Sequence, residues 1–311
     1  MATPQAPSKM SAPIDALTVR RQFSKPGRVA GSAFLRREIA NRMHERLELV
    51  KIAPQRVLDA GCGEGADLAL LQKDYPAAQV IGIDAALAMA SAAREQAAPA
   101  LRSLNQMLSR LLPARAGGGI RAAEVLTGDF GNLPFGPNSL DLVWSNLALH
   151  WHPQPDRVFA EWRRVLRVEG LLMFSNFGPD TLRELRAAYA EVDEHPHVLP
   201  FVDMHDFGDQ LVEAGFSTPV MDMEVIKVTY DTAEALLADV RALGGNPLAT
   251  RARGLRGRAA QARLLAALEK GRDATGKLVL SFEVIYGHAF RPAPRATAAG
   301  EAIVRFQPRR P

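Results

Sequence analysis

Residues 56–65 read RVLDAGCGEG, and the way the chain continues from them decides the fold. Arg56 to Ala60 is a short apolar run suited to a buried strand, Gly61, Gly63 and Gly65 punctuate a loop, and residues 66–73 favour helix. Ala78 to Asp84 (AQVIGID) supplies the next strand, so the segment is a βαβ unit. Strand-like runs recur at Ala123 to Thr127, Leu140 to Ser145 and Gly170 to Asn176, with a helix predicted over Pro155 to Arg167. Such alternation predicts an α/β fold: a mostly parallel sheet with helices on both faces. Upstream, Phe34, Leu35, Ile39, Met43, Leu47 and Val50 recur at helical spacing. Downstream, Thr181-x-x-Glu184 reads as a capping box, helices are expected over 200–214 and 232–243, and strands over 219–230 and 277–290. An insertion over 97–121 carries an amphipathic piece (101–112) and a Gly117-Gly118-Gly119 hinge.

Composition narrows the function classes. The 311 residues carry 38 Lys and Arg against 34 Asp and Glu, a formal charge of +4, and 47% hydrophobic residues, which is ordinary globular usage. The longest apolar runs fall well short of the ~20 residues that span a bilayer, and the Pro-rich start does not read as a secretory signal. A single cysteine, Cys62, excludes an internal disulfide framework and fits a reducing compartment, so a cytoplasmic location is expected. His195-Pro196-His197 lacks a third ligand at recognisable spacing, and no metal is expected. Basic residues cluster only between Arg251 and Arg272, and no nucleic-acid partner is expected.

In an open parallel sheet, ligands bind beyond the carboxyl ends of the strands. The residues placed there are Asp59, Gly61, Gly63 and Gly65 after the first strand, Asp84 after the second, Asp129 and Phe130 after the third and Asn146 after the fourth. Gly61-x-Gly63-x-x-Ala66 also meets a loose dinucleotide pattern. Asp59 separates the readings, because a carboxylate two residues before the first glycine repels a pyrophosphate and attracts the cationic amino-acid end of S-adenosylmethionine (SAM). In that reading Asp84 accepts from the ribose hydroxyls, Asp129 accepts from the adenine amino group and Phe130 packs near the ring.

VLDAGCGEG, GIDAALAMA, GDFGNLPFGPNSLDLVWSNLALHW and GLLMFSNFG resemble the class I SAM-dependent methyltransferases over about residues 50–178. SNLALHW, FGPDTLRELRAAYAEVDEHPHVLPF, LVEAGF and DVRALGGN are similar to the BioC family, the malonyl-carrier-protein O-methyltransferases that open biotin synthesis, over about Arg20 to Phe290. The resemblance implies a Rossmann-like, seven-stranded sheet with a helical lid and SAM as cofactor. It implies methylation of the free carboxyl of a malonyl thioester, on acyl carrier protein or coenzyme A. Part of it is shared with methyltransferase-like complex I assembly factors associated with arginine hydroxylation, so modification of a protein side chain, or a SAM-binding scaffold without catalysis, stands as the alternative. The domain plan is a tail (1–18), a helical arm (19–50), a SAM-binding core (51–178), a C-terminal half (179–291) containing a lid (about 231–273), and a second tail (292–311).

At the transfer site a carboxylate acceptor is already ionised and needs no general base. His150 and Trp151 are therefore expected to shape the pocket rather than to move a proton. A malonyl carboxylate calls for a guanidinium, and the candidates are Arg183, Arg186 and Arg251. The seven cations named by Arg251, Arg253, Arg256, Arg258, Arg263, Lys270 and Arg272 face one acid, Glu269, and read as a surface that draws in an acidic carrier.

Overall fold

The computed structural model describes residues 12–97, 123–252, 254 and 257–294. Strands β1 (Arg56–Ala60), β2 (Gln79–Asp84), β3 (Glu124–Thr127), β4 (Leu140–Asn146), β5 (Leu166–Phe177), β6 (Ser217–Tyr230) and β7 (Leu278–Phe290) form one sheet in the order β3-β2-β1-β4-β5-β7-β6. The first five are parallel, and β7 runs antiparallel to both β5 and β6. The order reverses between β1 and β4, and a crevice opens beyond their carboxyl ends. The α/β fold expected from the alternation is the one observed.

Successive strand residues point to opposite faces, and both faces are covered. Val57, Leu142, Trp144, Leu171 and Met173 join one cluster with Leu35, Ile39, Met43 and Leu47 of α2 (Ala33–Glu48) and Leu68 and Leu71 of α3 (Ala66–Asp74). Leu58, Val143, Leu172 and Phe174 join the other, against Val158, Phe159 and Trp162 of α5 (Pro155–Val165) and Phe207 and Leu211 of α7 (Met204–Glu213). Between α3 and α5, the described residues 87–97 are helical (α4). Among the described residues no helix is long and apolar enough to cross a membrane.

Four local expectations are corrected. The tail does not reach residue 18: Ile14 bridges Leu248, and α1 (Ala16–Gln22) begins on Asp15, whose Oδ1 accepts from the amides of Leu17 and Thr18. The helix predicted to Arg167 stops at Val165, because Leu166 turns extended (φ −63°, ψ 139°) and starts β5. Thr181 and Glu184 form no capping box. Leu182 precedes α6 (Arg183–Ala190) in the left-handed region (φ 57°), the Thr181 hydroxyl bonds Glu283 O, and the Glu184 carboxylate accepts from Ser281. The pair is spent tying α6 to β7.

The basic stretch is the fourth. Its helix α9 (Arg258–Glu269) is not wholly a surface for a carrier, because it buries Leu264, Ala267 and Leu268. Lys270 pairs with Glu191 and Arg272 with Glu269, each at 2.6 Å, while Arg263 donates to Val192 O. Arg253, Arg256 and all of the 97–121 insertion except Ala97 lie outside the described residues.

Candidate active site

The loop after β1 is held from two sides. Gly61 and Cys62 both donate their amides to Ile83 O at the end of β2, at 2.8 and 3.0 Å. Gly61 sits at φ +85°, and a Cβ there would stand 2.3 Å from Ala148 Cβ in the loop after β4. Gly63 donates its amide to Asp84 Oδ2 (3.0 Å). Gly65 does not border the crevice: it caps α3 at φ 84° and presses on α4, where an added Cβ would meet Ala93 Cβ at 2.9 Å. The three glycines thus do three jobs: contact between loops, an amide for Asp84, and helix packing.

Together these loops floor a cleft of about 260 Å³. Asp59, Gly61, Gly63, Asp84, Phe130, Asn146, His150 and Trp151 border it, as the strand-end argument predicts. Asp129 does not, because its Oδ1 accepts from Gly131 N (2.8 Å) and faces His152 Nε2 (3.6 Å). The facing His152 ring, together with the Gly131 amide, holds its carboxyl below the ordinary range.

The electrostatics of the floor are unusual. Asp59 is 1% exposed and its Oδ2 has no partner. Burial, with Asp67 and then Asp84 adding like charge, pushes its carboxyl well above the usual aspartate value. Asp67 accepts from Trp144 Nε1 (3.0 Å) and Asp84 from the amides of Gly63 and Ala86 (3.0 and 2.8 Å), yet burial raises both. A cluster of desolvated carboxylates with one unpartnered oxygen is a site short of a cation. The same burial and carboxylates raise the Cys62 thiol, which stays protonated.

At the β4 end, Asn146 donates to Arg36 O (3.1 Å) and accepts from Ser175 Oγ (2.7 Å). His150 Nδ1 lies 2.7 Å from Asn176 Oδ1, and burial lowers the ring pKa to about 4. The neutral ring must therefore carry its proton on Nδ1, as donor to that oxygen. Trp151 meets Phe23 edge-on at 5.3 Å and leaves no room for a side chain at Gly244, where a Cβ would stand 2.8 Å from the indole. It wedges between the arm and the end of α8 (Ala233–Ala242).

None of the three arginines chosen for the acceptor borders the cleft. Arg183 faces Asp180 and Glu184, Arg186 donates to Pro179 O and Thr181 O, and Arg251 donates to Leu248 O and Thr18 Oγ1. The cations that do border it are Arg20 of α1 and Arg36 and Arg37 of α2, with Phe23 and Val29 as apolar roof. Of the expected lid (231–273), only Leu243 borders the cleft among the described residues. The roof is the N-terminal arm, and the Arg-Arg pair of an amphipathic helix was the available signal. His197 stacks on Tyr189 (3.9 Å between centroids) and reaches Asp193 (2.7 Å). Among the described residues no group of three His, Cys, Asp or Glu side chains is placed to hold a metal.

A family described as "Methyltransferase domain" matches residues 58–174. The malonyl-[acyl-carrier protein] O-methyltransferase of Laribacter hongkongensis is 48% identical over 284 residues, covering 90% of this chain and 91% of that protein. The chain belongs to the malonyl-acyl carrier protein O-methyltransferase family. The enzyme of the same description from Gallionella capsiferriformans is 46% identical, with 94% and 96% covered. Among solved structures, the YcgJ protein of Bacillus subtilis matches with a TM-score of 0.55 at 15% identity, over 81% of this chain and 98% of that one, a likeness of fold. The cofactor of this methyltransferase is SAM. A cationic ligand with an amino-acid end and two ribose hydroxyls fits a floor whose carboxylates lack a cation.

Proposed function

We propose that this methyltransferase transfers the methyl group of SAM to the free carboxylate of malonyl-acyl carrier protein, the entry step of biotin synthesis. The observation that carries the reading is the 48% identity to a malonyl-acyl carrier protein O-methyltransferase across nine-tenths of the chain. Malonyl-coenzyme A presents the same reacting group and is proposed as a second acceptor, and the cytoplasm as the location.

In this reading Asp59 faces the methionyl ammonium and Asp84 the ribose hydroxyls, the Gly61–Gly63 backbone lies along the methionyl chain, and Phe130 and Asn146 flank the adenosine and the transfer point. Asp129 acts from behind, fixing the loop that presents Phe130. The proposed SAM-binding core is 51–178, between the arm (19–50) and the C-terminal half (179–291). Bound SAM supplies a methyl on a sulfonium, a leaving group that needs no acid. The protein's work is then to align and dehydrate the acceptor oxygen. His150, neutral and donating to Asn176, holds the wall beside Trp151 and has no proton to take, because the acceptor is a carboxylate.

A malonyl group carries a charge that an acetyl group lacks. Arg20 and Arg37 stand exposed at the rim of the cleft, and neither is hydrogen-bonded or ion-paired to another described residue. Replacing both with Met is expected to raise the malonyl thioester's KM by about tenfold or more, the worth of one charge-assisted pair, and to leave SAM affinity within about twofold. Steady-state kinetics with malonyl carrier protein checks it. An unchanged KM would leave the two arginines as solvated charges.

A further inference from the structure

The arm that roofs the cleft is basic on its outer side as well. Residues 16–37 hold Arg20, Arg21, Lys25, Arg28, Arg36 and Arg37 and no acid. Val19, Arg20, Phe23 and Val29 border the cleft, whereas Arg21, Lys25 and Arg28, interleaved with them, do not. Consecutive tight turns keep these three together: Ser24 donates its amide and its hydroxyl to Arg21 O, and Arg28 donates its amide to Lys25 O. All three are exposed, and none of their side chains is hydrogen-bonded or ion-paired to another described residue. In the 251–272 stretch, by contrast, Arg251, Arg263, Lys270 and Arg272 each donate to a neighbour, and none of its described residues borders the cleft.

Exposed apolar side chains accompany the arm's cations. Leu17, 62% exposed, stands four residues before Arg21 on α1, and Phe34, 49% exposed, three before Arg37 on α2, so each shares a helix face with a cation. Cations with apolar neighbours suit an acidic protein surface, whereas a phosphate backbone answers to the charges alone. A malonyl group on acyl carrier protein arrives on a tether, so the surface that holds the carrier must lie beside the mouth of the cleft. We propose that the acidic face of the carrier docks on the outer side of the N-terminal arm, at Arg21, Lys25 and Arg28; this rests on the malonyl-carrier reading of the cleft. Arg20 and Arg37 then serve the acyl group, and these three serve the protein that delivers it. The carrier surface expected at 251–272 is thereby moved to the other end of the chain.

Charge reversal separates docking from chemistry. The variant Arg21→Glu/Lys25→Glu/Arg28→Glu is expected to lower kcat/KM for malonyl-acyl carrier protein by about tenfold or more at low ionic strength, with the gap closing as salt screens the attraction in the wild type. Malonyl-pantetheine carries the same reacting group without the protein, and its kcat/KM is expected to change by less than about twofold, as is S-adenosylhomocysteine affinity. Arg258→Glu/Arg263→Glu/Lys270→Glu on α9 is expected to leave the carrier's kcat/KM within about twofold, because charges remote from the docking face are screened. An equal loss on malonyl-pantetheine, or a loss that salt does not relieve, would overturn the proposal. So would unchanged carrier kinetics or a larger loss from the α9 variant. Unchanged carrier kinetics alongside lost retention on heparin would give the face to another polyanion. Wild-type protein that methylates neither substrate would instead overturn the malonyl reading beneath it.

Discussion

Gly61→Ala is expected to abolish measurable cofactor binding and to lower the melting temperature. The added methyl would stand 2.3 Å from Ala148 Cβ, and the residue holds φ +85°. Left-handed backbone costs an L-residue roughly 1–2 kcal/mol, and overpacking typically adds 1–3. The only relief is to part the loops after β1 and β4, which together make the cleft floor. Gly63→Ala is the matched control, with a smaller positive φ (+53°) and nothing within 4 Å of its would-be Cβ. Calorimetry and thermal melts of both variants check the contrast. Full affinity in Gly61→Ala would mean that the floor is not set by this contact.

Asp59→Asn is expected to move stability and binding in opposite directions. The raised carboxyl of Asp59 means that the folded protein holds a proton the unfolded chain releases above about pH 4. Between the unfolded and the raised value the folded state binds more protons, so stability from this group falls as pH rises and is lowest above the raised value. An amide of the same shape removes the charge from a floor shared with Asp67 and Asp84. A gain of about 1 kcal/mol, or roughly 2–4 °C, is expected for the ligand-free variant at neutral pH, together with a flatter dependence of melting temperature on pH. S-Adenosylhomocysteine affinity is expected to fall by about tenfold or more, since the ammonium loses its ionised partner. A variant less stable than wild type but with full affinity would remove Asp59 from the ligand's charge balance.

The floor of the site was legible in the sequence because it is built locally. Gly61, Gly63, Asp84 and Asn146 stand at or just beyond the ends of strands whose apolar runs mark them, and parallel order puts those ends together. The roof was not legible. α1 lies at the edge of a stretch of Ala, Pro and Ser, and long-range contacts show why it is ordered: the bridge from Ile14 to Leu248, the bond from Arg251 to Thr18 and the packing of Phe23 on Trp151. Arg36 and Arg37 look like solvated charges until that packing turns their side of α2 toward the cleft. The acceptor arginines failed for the converse reason. Arg183 and Arg186 sit on the helix after β5 as expected, but Leu182 takes a left-handed turn and both are spent on neighbouring loop and helix residues. Thr181 and Glu184 carried a helix-start pattern whose groups β7 claimed first.

Incubating the protein with SAM and malonyl-acyl carrier protein, and reading the acyl group by mass spectrometry, distinguishes carboxyl methylation from every alternative. A single methyl added to the malonyl moiety as an ester is expected, with one S-adenosylhomocysteine released per ester and no methylation of acetyl-acyl carrier protein. S-Adenosylmethionine binding without any ester, or a methyl or hydroxyl group appearing on a protein side chain instead, would contradict it.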